Sequence, residues 1–310
     1  MKRKLTTILS CFVAIIALGS RPTANLKEEY GTKKQGKYLD PSTEDLHESI
    51  YRAVYEFNEI HTYIGNDWEP NPSDDKSEIK FRKDILRLEL YPESSFCYSY
   101  YTWNTDSLKK VPNGEKIWDE MFRAWYHGDR SGEPAYPHMR SQWKILKNRG
   151  DDTMTVYDYF DNEHYQYTDS ISSFDWAITD SVSNKNGYDC ILATCSYRGR
   201  EWNVWFSTDL PWHDGPWKFS GLPGLVVSAS DADSLYRFEL KDIYPVSDPV
   251  KPWMKKPKKT SRQKFLKEKF EYLKQLDGTA LTAEFGIKVD TSPDKPRCYR
   301  IGIEKDYNYK

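Results

Sequence analysis

The sequence lacks the motifs by which most catalytic and metal sites are recognised. None of its six histidines forms an HExxH or HxxxH pair, so no metal motif is present. There is no GxSxG elbow, no P-loop and no GxGxxG turn, which removes the usual signatures of serine hydrolases and nucleotide-binding proteins. No pair of Asp or Glu residues is distinguished by its sequence context. We therefore predict no catalytic residue, no metal ligand and no cofactor, and the sequence favours a protein that is not an enzyme.

Cysteine is scarce, and no two cysteines form the CxxC pair typical of zinc or thiol-exchange sites. Apart from Cys11 in the apolar N-terminal stretch, the chain contains Cys97, Cys190, Cys195 and Cys298. An even number in an exported chain permits disulfides, and the three possible pairings stay open. A bond between Cys190 and Cys195 would need a bulge, because residues five apart in a strand face opposite sides. A structural role for Cys190 is favoured over a nucleophilic one.

The chain has one long apolar run, at its N-terminus. A basic cluster at residues 2–4 precedes a mostly apolar stretch from Leu5 to Leu18, which is too short to span a membrane comfortably. We interpret residues 1–20 as a cleaved signal peptide and residues 21–45 as a flexible leader. Two alternatives stay open, an uncleaved anchor and a lipoprotein modified at Cys11. No other stretch approaches a membrane span, so we expect no transmembrane segment after signal cleavage.

An excess of positive charge is also missing. The net charge is −2, and removing residues 1–19 leaves 42 basic and 47 acidic residues. A mildly acidic chain is a poor candidate for nucleic-acid binding. Aromatic residues, in contrast, are abundant at 15% of the chain. Together with many short alternating runs, they favour a β-rich fold.

The alternating runs predict a series of antiparallel strands with short turns. Residues 85–103 read as a half-buried strand, a turn at a proline and a second strand. Two hairpins are predicted, one turning at Asp161–Asn162 and one at residues 184–187. Farther along, Trp205 is expected on the face opposite to Trp202 and its apolar neighbours. Residues 46–60 fit either a helical face or a strand.

Helices are expected in two places. Residues 115–126 fit a short helix, and the basic stretch 251–277 fits a linker followed by a helix. We expect Thr260 or Ser261 to cap the second helix and Gly278 to end it, with Leu266, Phe270 and Leu273 along its packed side. The predicted fold class is mainly β (α+β), with a strongly curved antiparallel sheet or partial barrel and one C-terminal helix.

The most unusual stretch is PWHDGPWKFSGLPGLVV, residues 211–227, hereafter the motif segment. Its glycines permit positive φ or close backbone approach, and Pro223 fixes one φ. One interpretation is a buried corner that closes a β fold, with leucines and aromatics as anchors. The other is a ligand-facing lip formed by Trp212, His213, Trp217 and Phe219.

This segment ends a longer run, NGYDCILATCSYRGREWNVWFSTDLPWHDGPWKFSGLPGLVVSASD, that resembles the signature of the GLPGLI family of exported Bacteroidetes proteins. The resemblance covers roughly residues 50–306, and Val226 stands where the family usually has Ile. It implies one β-rich domain at residues 46–306, a strand rather than a helix at residues 50–57, and export in a Gram-negative bacterium. The residues that match the family signature are Gly187, Tyr188, Cys190, Gly199, Arg200, Trp205, Gly215, Pro216, Phe219, Gly221, Leu222, Pro223, Gly224 and Leu225.

The resemblance implies no activity and transfers no catalytic residue, because the family is defined by its motif. We expect an exported envelope protein, in the periplasm, associated with the outer membrane or secreted, that binds a ligand or partner without catalysis. An outer-membrane transporter, a lipid or a glycan is the expected partner. Two other hypotheses stay open. One is an envelope hydrolase that uses acidic residues with His213, and the other is a structural accessory subunit of an outer-membrane transporter.

Overall fold

The structure is a computed structural model that describes residues 50–65, 79–128, 138–248, 256–275, 297–299 and 302–306. The predicted signal peptide, the predicted leader and Gly278 lie outside these residues. The described residues fall into two compact units. The smaller unit consists of residues 98–128 and 138–142, and the larger unit contains the rest. The expected single domain at residues 46–306 stays a prediction.

Strands dominate the larger unit. Their bounds are β1 (Tyr51–Gly65), β2 (Ile79–Leu90), β3 (Ser94–Ser99), β4 (Lys144–Asn148), β5 (Thr153–Phe160), β6 (Glu163–Ser170), β7 (Ala177–Lys185), β8 (Tyr188–Tyr197), β9 (Arg200–Ser207), β10 (Leu225–Asp231), β11 (Tyr236–Pro245), β12 (Lys258–Lys259) and β13 (Arg297–Tyr299). They form one sheet in the order β12-β6-β5-β4-β3-β2-β1-β11-β10-β9-β8-β7, and β13 pairs with the far end of β1. The sheet is mixed, because β12 runs parallel to β6 whereas hairpins such as β5–β6 are antiparallel. It is not closed within the described residues, since β12 and β7 lie at its two ends.

Both predicted hairpins are confirmed. The turn between β5 and β6 places Asp161 and Asn162 at φ 50° and 58°, and the turn between β7 and β8 places Asn186 and Gly187 at 51° and 89°. Positive φ at both central residues matches the right-handed twist of the flanking strands. Residues 51–65 form a strand, so the preference for a strand at residues 50–57 is confirmed too.

The C-terminal helix of the predicted fold is accompanied by two further α-helices in the smaller unit, of which only the second was expected. Helix α1 (Tyr100–Lys110) begins where the second strand of residues 85–103 was predicted to continue. The hydroxyl of Ser99 accepts a hydrogen bond from the amide of Thr102 at 3.2 Å, and this N-cap ends β3 and starts the helix. Helix α2 (Gly114–His127) covers the short helix predicted at residues 115–126.

Aromatic rings dominate the contacts inside the smaller unit. On α2, the rings of Trp118 and Phe122 stack with centroids 5.6 Å apart. The ammonium of Lys109 lies 4.2 Å from the centroid of the Trp118 ring and joins α1 to α2 by a cation–π contact. The hydroxyl of Thr102 donates to the carbonyl of Ser141 at 2.9 Å.

The predicted C-terminal helix is present as α3 (Arg262–Gln275), and Ser261 caps it by accepting from the amide of Lys264 at 3.3 Å. Its packed side is centred on Phe265, which the sequence analysis did not single out. The Phe265 ring lies 5.5 Å from the ring of Phe160 on β5 and 5.5 Å from that of Tyr167 on β6. Leu266 is only half-buried. No helix in the described part of the chain is long and apolar enough to cross a membrane.

We predict that Phe265→Ala lowers the free energy of unfolding by about 3–5 kcal/mol, the usual loss for a buried aromatic ring. Leu266→Ala is the matched control on the same turn, and we expect it to cost about 1 kcal/mol because the side chain is half-exposed. Urea unfolding of the two variants beside the wild type measures both losses. Equal losses would contradict the packing of α3 through Phe265.

Candidate functional site

The motif segment connects β9 to β10 and lies mostly inside the larger unit. Trp217 is 2% exposed and Phe219 is fully buried, so these two residues are anchors. Trp212 is half-buried and His213 is exposed. The predicted lip therefore keeps only two of its four residues at the surface. Trp217 and Phe219 are corrected to core residues, since their rings gain more by burial beneath the segment than by lining its edge.

The Phe219 ring is the centre of the aromatic core. Its centroid lies 5.0 Å from that of Trp202 on β9, 5.2 Å from that of Trp217 and 5.5 Å from that of Phe238 on β11. Strands β9 and β11 thus both contact the motif segment through the Phe219 ring. From β1, the hydroxyl of Tyr55 donates to the carbonyl of Val226 at 2.7 Å.

Two glycines of the segment are needed for different reasons. Gly221 has φ 84°, a conformation that is costly for a residue with a Cβ. At Gly224 the requirement is space, because a Cβ there would lie 2.1 Å from the carbonyl oxygen of Ser207. Trp217 also adopts a positive φ, 52°, which costs a bulky residue about 1–2 kcal/mol. Burial of its ring offsets this strain.

A buried lysine from β4 fixes the first half of the segment. The ammonium of Lys147 donates to the Asp214 carboxylate at 2.7 Å, the Gly215 carbonyl at 2.8 Å and the Phe219 carbonyl at 2.6 Å. These contacts use all three of its protons. Arg149 donates to the second oxygen of Asp214 at 3.2 Å. The carboxylate beside His213 is therefore fully engaged in holding backbone and cannot act with that histidine as an acid–base pair.

A second buried lysine, Lys218, fixes the other half. Its ammonium lies 2.6 Å from Glu304 and 3.0 Å from Asp169, and it sits over the ring of Tyr167. Burial lowers the pKa of Lys218 and is the largest single influence, but the charges of Glu304 and Asp169, together with the two neighbouring tyrosines, outweigh it, so the net shift is upward. Lys218 is therefore an ammonium at neutral pH and not a nucleophile or a general base.

Asp169 is held by Lys218 and by Arg198. Burial raises the pKa of this carboxyl, yet the two cations lower it more, and the net shift is downward. Asp306 behaves alike, since burial raises its pKa, whereas hydrogen bonding to Arg262 and the charges of Arg262 and Arg198 together lower it below its ordinary value. Both groups are carboxylates over the neutral and mildly acidic range.

The three cysteines whose side chains are described carry free thiols, so no disulfide joins Cys97, Cys190 and Cys195. This confirms the prediction against a Cys190–Cys195 bond. Burial raises the pKa of Cys97 to about 12, that of Cys190 to about 11 and that of Cys195 to about 12. Because the thiolate is the nucleophile, these cysteines are inert at neutral pH.

The residues that carry the family resemblance divide into two groups. Most are buried and support the core: Cys190, Arg200, Gly215, Pro216, Phe219, Leu222, Gly224 and Leu225. The others reach the surface: Gly187, Tyr188, Gly199, Trp205, Gly221 and Pro223. Trp205 is the largest of these, and it faces outward while Trp202 on the same strand is buried, as the alternation predicted.

Trp205 begins a polar row across the outer face of the sheet. Register places it opposite Ser228, Ser228 opposite Glu239, and Glu239 opposite Glu56. We call these four residues the Trp205 row. Directly opposite side chains of antiparallel strands share a face, so the two carboxylates lie beside each other, and Ser228 lies between Glu239 and the indole. Sequence reasoning missed the row because its members are far apart in the chain.

The members of the Trp205 row contact a few neighbouring polar and basic side chains. The hydroxyl of Ser228 donates to Glu239 at 3.0 Å, and the Asn58 amide donates to Glu56 at 3.1 Å. The one ion pair of the row among the described residues joins Glu56 to Lys83 at 3.8 Å, and the lysine is largely exposed. The ammonium of Lys185 lies 4.9 Å from the centroid of the Trp205 ring.

The described residues give the motif segment neither a metal cluster nor a carboxylate paired with His213. No group of three or more His, Cys, Asp and Glu side chains there is placed to hold a metal ion. His213 makes no side-chain hydrogen bond or ion pair with a described carboxylate. The buried charge that acts on the backbone of the motif segment is that of Lys147, which holds two of its carbonyl groups.

Comparison with known proteins gives only distant likeness. No family model and no curated protein matches this chain. A structure of PNGF-II in the P21 space group is similar over 73% of this chain and 34% of that chain, with 12% identity and a TM-score of 0.47. A structure of PNGF-II in the C2 space group is similar over 73% and 33%, with 12% identity and a TM-score of 0.44. The chain spans about a third of the PNGF-II chains, and this likeness does not indicate a shared activity.

We predict that Gly224→Ala lowers the free energy of unfolding by about 3 kcal/mol or more, because its Cβ would meet backbone that cannot rotate away. Gly187→Ala is the control. It has φ 89° but open space around a Cβ, so we expect the loss of about 1 kcal/mol that belongs to the φ alone. Denaturant unfolding measures both. A smaller loss at Gly224 than at Gly187 would contradict the close approach to Ser207.

The lowered pKa values of Asp169 and Asp306 predict how stability depends on pH. A carboxyl whose folded pKa lies below its unfolded value stabilises the fold above the unfolded value, about 4, and this contribution is lost as pH falls through the folded value. We therefore expect the free energy of unfolding to fall below about pH 4. In Asp169→Asn, the free energy of unfolding should fall less steeply below about pH 4, whatever the effect of the substitution at pH 7. An unchanged slope would show that the carboxyl does not titrate as described.

Proposed function

We propose that this chain is an exported cell-envelope protein of the GLPGLI type that binds a ligand and does not catalyse a reaction. The observation that carries the proposal is the contrast between two surfaces. The ionic groups of the motif segment are buried in internal ion pairs, whereas the Trp205 row presents an indole and two carboxylates at the surface.

Export and family membership are supported by the sequence. The basic and apolar pattern at residues 1–20 supports a signal peptide, and the order of signature residues from Gly187 to Leu225 supports the family. On this proposal the protein works in the periplasm or at the outer membrane of a Gram-negative bacterium. We also propose that the sheet curves strongly around the motif segment, because β1, β9 and β11 each meet that segment from their inner side.

A glycan is the ligand class that fits the Trp205 row best. Sugars bind by stacking their apolar face on an indole and by hydrogen bonding their hydroxyls to carboxylates and amides. The row supplies the indole of Trp205 and the carboxylates of Glu239 and Glu56, and the neighbouring Asn58 supplies an amide. A lipid chain would need a wider apolar surface than one indole beside two charges. Lys185 covers the ring without a ligand and would give way to a sugar.

The envelope hydrolase stays as the alternative, and one observation favours it. Glu56 and Glu239 are directly opposite each other, and opposed side chains have Cβ atoms about 4.5–5.5 Å apart. Glycosidases need two carboxyl groups flanking the scissile bond, in retaining enzymes about 5–5.5 Å apart. Both carboxylates lie on the sheet face, where nothing described excludes water from a reacting bond.

We predict that Trp205→Ala weakens binding of the glycan about tenfold, the loss expected when one stacking contact worth about 1.4 kcal/mol is removed. The ligand is first identified by applying the full-length protein to an array of bacterial and host glycans. Isothermal titration with the best-bound oligosaccharide then compares the variants. Trp212→Ala is the matched control, since Trp212 is also a half-buried tryptophan but belongs to the predicted lip.

Each outcome separates the hypotheses. Loss of binding in Trp205→Ala with wild-type binding in Trp212→Ala supports the Trp205 row. Loss of binding in Trp212→Ala alone would place the binding site at the predicted lip. If no glycan on the array binds, the proposed ligand class is contradicted. Release of a shorter sugar that is abolished by Glu239→Gln would replace the binding proposal by the hydrolase. Circular dichroism checks that each variant is folded.

A further inference from the structure

Residues 302–306 lie along the turn between β8 and β9. The amide of Lys305 donates to the carbonyl of Arg198 at 2.8 Å. The guanidinium of Arg200 donates to the carbonyls of Gly302 and Ile303 at 3.0 and 2.8 Å. The backbone of the segment is thus held on both its donor and acceptor groups, which is how proteins commonly bind extended peptides.

The side chains of the same segment are held by charge. Glu304 is 3% exposed, and its two oxygens lie 2.6 Å from Lys218 and 2.6 Å from Arg262. Asp306 accepts two hydrogen bonds from Arg262, at 2.7 and 2.5 Å, and lies 3.5 Å from Arg198. Two carboxylates two residues apart therefore determine the fit.

The site that receives the segment has more positive than negative charge of its own. We call Arg198, Arg200, Lys218 and Arg262 the cationic site. Apart from residues 302–306, the carboxylates that pair with it in the described part of the chain are Asp169 and Asp231. Without Glu304 and Asp306 the site would keep two positive charges in excess, with Lys218 fully buried among them. An uncompensated buried charge costs several kcal/mol, so the site needs an acidic occupant.

The backbone around the cationic site is also shaped for a peptide. Gly199 has φ 77°, and a Cβ there would lie 2.9 Å from the Cβ of Lys305 and 3.0 Å from the amide nitrogen of Asp306. A side chain at this position would push the segment away. Gly199 and Arg200, both residues of the family signature, thus contact residues 302–306 directly.

We infer that the cationic site is a peptide-binding site for an acidic segment with the pattern Glu-x-Asp, and that residues 302–306 are its ligand in cis. Because the cis segment belongs to the same chain, it competes with any separate peptide as an intramolecular ligand. A partner protein with an exposed segment of this pattern binds the same site when it displaces the cis segment. The partner class is an acidic peptide, not a free anion, because Arg198 and Arg200 bind the backbone.

The test uses the full chain with its own segment weakened by Glu304→Gln and Asp306→Asn. The probe is a synthetic peptide with the sequence of residues 300–308, and the control peptide carries Gln and Asn at the two acidic positions. We expect this variant to bind the acidic peptide at least about tenfold more tightly than the control peptide. The wild-type chain, whose site is occupied, should bind both weakly. Fluorescence anisotropy of labelled peptides measures the affinities.

Further outcomes decide the inference. Adding Arg262→Gln to the double variant should remove the preference for the acidic peptide. If the double variant is destabilised, the acidic peptide should raise its melting temperature and the control peptide should not. Equal binding or equal rescue by both peptides would overturn the inference. Succinate that competes as well as the peptide would also overturn it, in favour of a site for small anions.

Discussion

The ion pair between Lys218 and Glu304 is the interaction on which the larger unit depends most. Lys218 has no exposed surface, and Glu304 has almost none. Two such charges are stable inside a protein only while each keeps its partner, since removal of one typically costs about 3–5 kcal/mol. Asp169 on β6 and Arg262 on α3 join the pair from two other elements. One buried network therefore fixes the motif segment, a strand, a helix and residues 302–306 together.

Lys147 does the same for the first half of the motif segment, and the two lysines explain why that segment has so little conformational freedom. Lys147 holds backbone carbonyls and Asp214, so the chain between Asp214 and Phe219 cannot relax. Where the chain passes Ser207, only a glycine fits, and that residue is Gly224. The Gly-Leu-Pro-Gly-Leu turn is thus a consequence of packing between buried charges and strands. Its glycines indicate structure and not a site for substrate.

Local patterns predicted much of this fold, and distant contacts account for what they missed. The hairpins followed from turn residues such as Asp161 and Asn162, because the φ that a two-residue turn needs is a property of those residues. The outward direction of Trp205 followed from alternation. Helix α1 was missed because the aromatic residues at its start are also good strand formers, and the cap at Ser99 decides between the two. Neither lysine pair was predictable, since both join residues far apart in sequence.

The same reasoning separates the two candidate surfaces of the larger unit. In the network around Lys218, every buried charge meets an opposite charge, as folding alone requires. In the Trp205 row, Glu56 and Glu239 stand opposite each other, and like charges in that position destabilise a sheet. Folding gains nothing from such a pair, and an apolar or oppositely charged residue at either position would stabilise the strands more. Local rules are broken most often where a protein binds or reacts. The row therefore carries the stronger indication of function, although the motif segment carries the stronger sequence signal.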